Sequence, residues 1–134
     1  MKRLLIFLVI LLIPLCSCKK DSSEKSSGDK KKLSLQTSGL IEVKPSEADE
    51  YTGEEVIVTG KVADIFTSKK GNTFINFDRK YPNHTFTAVK FDNSKVNISG
   101  IKPGCTLSIK GTIKIYNGKP EIILNSQEQI LEIN

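Results

Sequence analysis

Two stretches constrain the fold most. Residues 55–62, EVIVTGKV, and 105–116, CTLSIKGTIKIY, alternate apolar and polar side chains, and each carries a glycine inside the run. Period two puts the apolar residues on one face of a strand. Long coiling strands of this kind serve both halves of a small closed barrel. Gly60 and Gly111 predict a bulge or a sharp coil at those points. Turn signals at residues 69–72, 81–83 and 117–118 separate further strands at 73–78, 85–91 and 121–124. Five principal strands with regularly spaced turns predict an all-β barrel or sandwich. The absence of a long amphipathic helix between strands argues against a parallel α/β fold. Outside this frame, residues 40–43 predict a short strand and residues 129–133 another. Ser46, three residues before Asp49, predicts a capped helical turn over 45–51. Residues 92–103 form a loop or short helix.

The N-terminus reads as an address. Lys2 and Arg3 precede an apolar run, LLIFLVILLIPL, over residues 4–15. That is the layout of a secretory signal, and it is shorter than the roughly 20 residues of a spanning helix. Leu15-Cys16-Ser17-Cys18 resembles a bacterial lipobox, with Cys16 a mild departure at the second position. The resemblance implies that residues 1–17 are removed and that Cys18 carries acyl chains. Each buried methylene adds about 0.8 kcal/mol, so several chains hold the protein at a membrane of the bacterial cell envelope, outside the cytoplasm. Residues 19–32, KKDSSEKSSGDKKK, contain no apolar side chain. Such a segment cannot offset its ordering entropy and is expected to be a solvated tether. The expected organisation is a signal peptide over 1–17, a lipidated cysteine and tether over 18–38, and a barrel over 39–134. Cys105 is then the one unmodified cysteine, which leaves no disulfide pair. Its apolar neighbours predict a buried structural thiol.

Within residues 39–134 the segments EVIVTGKV, GNTFINFD (71–78), TFTAVKF (85–91), PGCTLSIKGTIKIYNGKPEIIL (103–124) and QIL (129–131) resemble the OB-fold. The likeness is to bacterial OB domains of the nucleic-acid-binding, tRNA-anticodon-like type. Gly118-Lys119-Pro120-Glu121-Ile122 and Gln129-Ile130 carry it most clearly. The resemblance implies a small five-stranded Greek-key barrel with a short helical turn before the first long strand. OB barrels host unrelated ligands, so the likeness speaks to fold before function.

Little in the sequence marks catalysis. His84 is the only histidine and has no partner spacing for zinc. No phosphate-binding Gly-rich loop and no His-Glu-x-x-His is present. Nuclease chemistry of the thermonuclease kind uses two arginines, and only Arg79 follows the leader. The expectation is a non-enzymatic protein without cofactor or metal.

Charge separates along the chain. The formal net charge is +5, yet residues 33–134 hold eleven lysines and Arg79 against twelve acids. Within that span, residues 56–120 carry ten lysines and Arg79 against three aspartates, while both flanks are acidic. A basic central surface could track a phosphate backbone; alternatively, the acidic ends fold back and neutralise it. Strand parity nominates Phe74, Phe86 and Tyr116 beside Lys61, Lys90, Lys114 and Lys119, with Asn76 between them. Leu107, Ile109, Ile113 and Ile115 then face the core. Aromatic rings stack on bases at about 1–3 kcal/mol each while lysines follow the phosphates. The expected ligand is single-stranded DNA or RNA, with steep loss of binding as salt rises. The alternative is an adaptor that binds an envelope protein or an anionic glycan. A competing role for Phe74 and Phe86 is core or structural cover.

Overall fold

The computed structural model describes residues 39–134. The expected signal peptide, lipobox with Cys18 and tether lie outside these residues.

Eight strands build one sheet: β1 (Glu42–Val43), β2 (Glu55–Thr67), β3 (Thr73–Phe77), β4 (Thr87–Lys90), β5 (Thr106–Thr112), β6 (Lys114–Tyr116), β7 (Lys119–Ile123) and β8 (Ile130–Ile133). The hydrogen-bonded order is β6-β7-β4-β3-β2-β5-β8, with β1 added parallel to β2. β5 and β6 are two halves of one long run, parted at Ile113, which bridges to Thr52. The β5 half pairs with β2 and the β6 half with β7, so the run closes the barrel. The expected strands are all present, and the long 105–116 stretch breaks at Ile113 rather than at Gly111.

Neither glycine makes a bulge. Gly60 pairs in register with Leu107, and Gly111 with Val56. The register shift in β2 falls instead between Val62 and Asp64. Gly60 is required by close approach: a Cβ there would collide with the Pro45 ring, which lies over the strand. At Gly111 a Cβ would meet Ile122 Cγ2 at 2.7 Å.

Pro45–Tyr51 is a 3-10 helix, as the sequence predicted in position. Its cap differs. Lys44 occupies the N-cap without a side-chain bond, and Pro45 starts the helix with its fixed φ and missing N–H. Asn117 (φ 50°) and Gly118 (φ 74°) form the predicted two-residue hairpin turn between β6 and β7. Residues 92–103 contain no helix.

The barrel interior holds Val56, Val58, Val62, Ile75, Phe77, Phe86, Ala88, Leu107, Ile109, Ile113, Ile122 and Leu124, with Ala48 of the 3-10 helix closing one end. Phe77 and Phe86 meet edge to face at 5.2 Å. Ile115 is 47% exposed, because β6 pairs only with β7 and has no layer over it. Cys105 is half-buried against the core.

Candidate ligand groove on the barrel face

The sheet lays three rows of side chains across its outer face. Partners in register share a face. One row runs Phe66, Phe74, Val89 and Ile123 over β2, β3, β4 and β7. The next runs Asp64, Asn76, Thr87, Glu121 and Lys114, reaching β6. Tyr116 pairs with Lys119 beyond it. The turn that follows β3 supplies Tyr81, Pro82 and His84. Of these, Phe66, Phe74, Asp64, Asn76, Thr87, Glu121, Tyr116 and Lys119 line a groove of about 810 Å³ together with the turn residues, Asn117 and Pro120.

The bulge in β2 makes this face. It lets Val62 point into the barrel and then reverses parity, so that Asp64 and Phe66 turn outward while Ile65 packs on the core. Phe66 is 57% exposed and stacks with the half-buried Phe74 at 6.3 Å. Tyr81 is 74% exposed and stacks over His84 at 5.8 Å.

The groove floor is polar and ordered. Thr87 Oγ1 donates to Asn76 Oδ1 at 3.1 Å, and both residues are buried. That bond fixes the amide and leaves Asn76 Nδ2 uncommitted among the described residues. Lys119 Nζ donates to the His84 carbonyl at 2.9 Å, tying the turn to β7. His84 is buried, and its Nδ1 has no hydrogen-bond partner among the described residues.

Two groups in the groove have shifted acidities. Burial, reinforced by Lys119, holds His84 below its ordinary value of 6.5. Burial pushes the Glu121 carboxyl up, against the opposing pull of Lys114. A histidine with a lowered folded pKa contributes stability that is present above the unfolded value and lost as pH falls through the folded one. Glu121 acts in the opposite sense, since its buried charge is relieved on protonation. Acidification from pH 7.5 to 5.5 is therefore expected to lower the urea midpoint less in His84→Gln than in the parent. An equal fall in both proteins would show that His84 is not the titrating group.

The nominated residues divide. Phe74, Asn76, Tyr116 and Lys119 come together in the groove. Phe86 does not: it is fully buried in the barrel. Parity on β4 is the reverse of the expectation, because Ala88 pairs with Ile75 inside while Thr87 and Val89 take the outer face opposite Asn76 and Phe74. Lys90 therefore lies off the groove, with its amine at 3.4 Å from the Phe91 carbonyl. Lys61 lies on the exposed stretch of β2 opposite Thr106. Lys114 stands at the groove edge opposite Glu121 and lines a smaller hollow beside Gln129. The expected lysine-lined groove is thus replaced by one holding two carboxylates and one engaged lysine. Sequence reading missed Asp64 and Phe66, which depend on the bulge, and also Tyr81, His84, Thr87 and Glu121. The aromatic Tyr81 inside a turn was the available signal. Among the described residues no cluster of three His, Cys, Asp or Glu side chains could hold a metal ion.

A small closed barrel with a groove over its second and third principal strands, flanked by hairpin turns, defines an OB-fold. The chain belongs to the tRNA_anti-like family, whose model matches residues 1–128. Among solved structures it is similar to a chain assigned as an aspartyl-tRNA synthetase from Leishmania major Friedlin, at 12% identity and a TM-score of 0.50. That match covers 69% of this chain and 21% of the other. An asparaginyl-tRNA synthetase from Entamoeba histolytica matches at 17% identity and a TM-score of 0.43, over 71% of this chain and 23% of its own. An OBody bound to hen egg-white lysozyme matches at 16% identity and a TM-score of 0.48, over 68% and 87%. These likenesses concern the fold. No curated protein matches the sequence.

Proposed function

We propose that this protein is a non-enzymatic binding module for single-stranded nucleic acid, held at the bacterial cell envelope by a lipidated Cys18. One observation carries the binding reading: four aromatic rings, those of Phe66, Phe74, Tyr81 and Tyr116, gather around one groove floored by hydrogen-bonding groups. Bases stack on such rings whatever their identity. The family's OB-fold character supports the same reading. The phosphates would meet Lys119, which lines the groove, Lys114, which pairs opposite Glu121, and Arg79 and Lys80, which precede Tyr81 in the chain.

This division of labour changes the expected salt response. For a single strand, the slope of log affinity against log salt is roughly −0.7 per neutralised phosphate. Four such cations set a ceiling of about −3. Fluorescence anisotropy of a labelled oligonucleotide from 50 to 200 mM salt is expected to give a shallow slope within that ceiling. A slope steeper than about −5 would place the contact on the lysines outside the groove.

A protein partner is the second reading, favoured by the 57%, 74% and 62% exposure of Phe66, Tyr81 and Tyr116. It predicts no oligonucleotide binding at either salt. An anionic glycan fits less well, because Asp64 and Glu121 both face the groove. The anchor is tested apart from the ligand: a palmitate label should appear on the parent protein and vanish in Cys18→Ala.

A further inference from the structure

The polar row across the groove has an unequal hydrogen-bonding inventory. Asp64 and Glu121 are carboxylates, which when ionised only accept. No described residue donates a hydrogen bond to the side chain of either. Thr87 gives its hydroxyl proton to Asn76 Oδ1. The row therefore offers accepting oxygens at both ends and one free amide donor, Asn76 Nδ2, between them. Asp64, Asn76, Thr87 and Glu121 occupy successive strands in register. Neighbouring strands lie about 4.8 Å apart, so Asp64 and Glu121 stand roughly 14 Å apart along the row, and one base edge meets one end of it.

Bases differ in what they bring to such a row. Cytosine, adenine and guanine each carry an exocyclic amino group, a donor that a carboxylate accepts. Uracil and thymine present a carbonyl at the same place, which sets acceptor against acceptor. A buried acceptor left facing another acceptor loses its water without gaining a bond.

We infer that the row Asp64–Asn76–Thr87–Glu121 reads the exocyclic amino group of a stacked base, so that the groove takes amino-bearing bases in preference to uracil and thymine. This rests on the nucleic-acid reading of the same groove. Glu121 is the principal reader, since it is half-buried and lines the groove with the ring of Tyr116 at the end of β6 and with Lys119 on its own strand. At the other end of the row Asp64 is paired directly with Asn76, whose Nδ2 supplies a donor to the ring nitrogen or carbonyl beside an amino group read by Asp64. The partly desolvated state of the Glu121 carboxyl, which pushes its acidity down, agrees with an acceptor waiting for a donor.

The test uses the full chain in mild detergent and two labelled eight-nucleotide RNAs, one of cytidine and one of uridine, at pH 7.5. Binding to the cytidine strand is expected to be at least about fivefold tighter. Because cytosine also stacks better than uracil, the deciding quantity is the change in that ratio on Glu121→Gln. A glutamine can turn its amide donor toward the uracil carbonyl, so the ratio should collapse toward one, with uridine binding retained or improved. Asp64→Asn provides the same reading from the other end of the row. A ratio unchanged in both variants, with both RNAs still bound and both weakened by Phe74→Ala, would overturn amino-group reading and leave the nucleic-acid groove standing. Failure of either RNA to bind the parent protein would overturn both.

Discussion

Replacing Phe86 with alanine is expected to lower the unfolding free energy by about 3–5 kcal/mol, the usual cost of emptying an aromatic site in a closed core. The ring is fully buried and meets Phe77 edge to face at 5.2 Å. It belongs to a core that draws on β2, β3, β4, β5 and β7, close-packed so that a cavity there closes only by moving the sheet. Domains of this size hold roughly 5–15 kcal/mol in total, so the loss takes a large share. Urea denaturation followed by far-UV circular dichroism measures it. A cost under about 1 kcal/mol, with ligand binding lost, would put the ring on the surface and reverse the parity of β4.

Phe74 and Tyr81 are expected to behave in the opposite way. Each ring stands at the groove, and each truncation should weaken oligonucleotide binding by about 1–3 kcal/mol, roughly 5- to 150-fold. Tyr81 is 74% exposed, so Tyr81→Ala should leave the unfolding free energy within about 0.5 kcal/mol of the parent. Phe74 stacks on Phe66 and is half-buried, so Phe74→Ala should cost some stability while the barrel core stays intact. The contrast with Phe86→Ala separates ring contacts to a base from ring contacts to the core. Equal affinity for the parent and Tyr81→Ala would remove the turn from the binding surface.

The barrel was legible because its strands announce themselves. Alternation over EVIVTGKV and CTLSIKGTIKIY and the Asn117-Gly118 turn each fix a local geometry, and those geometries agree. The face of β3 was legible too, since Ile75 and Phe77 alternate with Phe74 and Asn76. On β4 the run TFTAVKF offers apolar residues to both faces, and nothing local decides which face is inward. The pairing of Ala88 with Ile75 decides it, and that pairing is a property of the closed sheet. The bulge was misplaced for a related reason. A glycine inside a strand marks either a bulge or a close approach, and at Gly60 it marks the approach of Pro45. The actual shift, between Val62 and Asp64, carries no special residue. Through it Asp64 and Phe66 join the groove, and with Glu121 they replace the lysine row that charge counting suggested. The segmental charge of residues 56–120 was real, but Lys61 and Lys90 spend it on other parts of the surface.

On the proposed reading one groove, and not the basic surface at large, receives a single strand. Amide chemical-shift mapping of the isotopically labelled protein with an eight-nucleotide cytidine RNA distinguishes the two. Saturable shifts are expected at Asp64–Phe66, Phe74–Asn76, the turn around Tyr81 and His84, and Tyr116–Glu121, with β5 and β8 unmoved. Shifts gathered on β5 and β8 or around Lys61 and Lys90, or no shifts at saturating RNA, would contradict it.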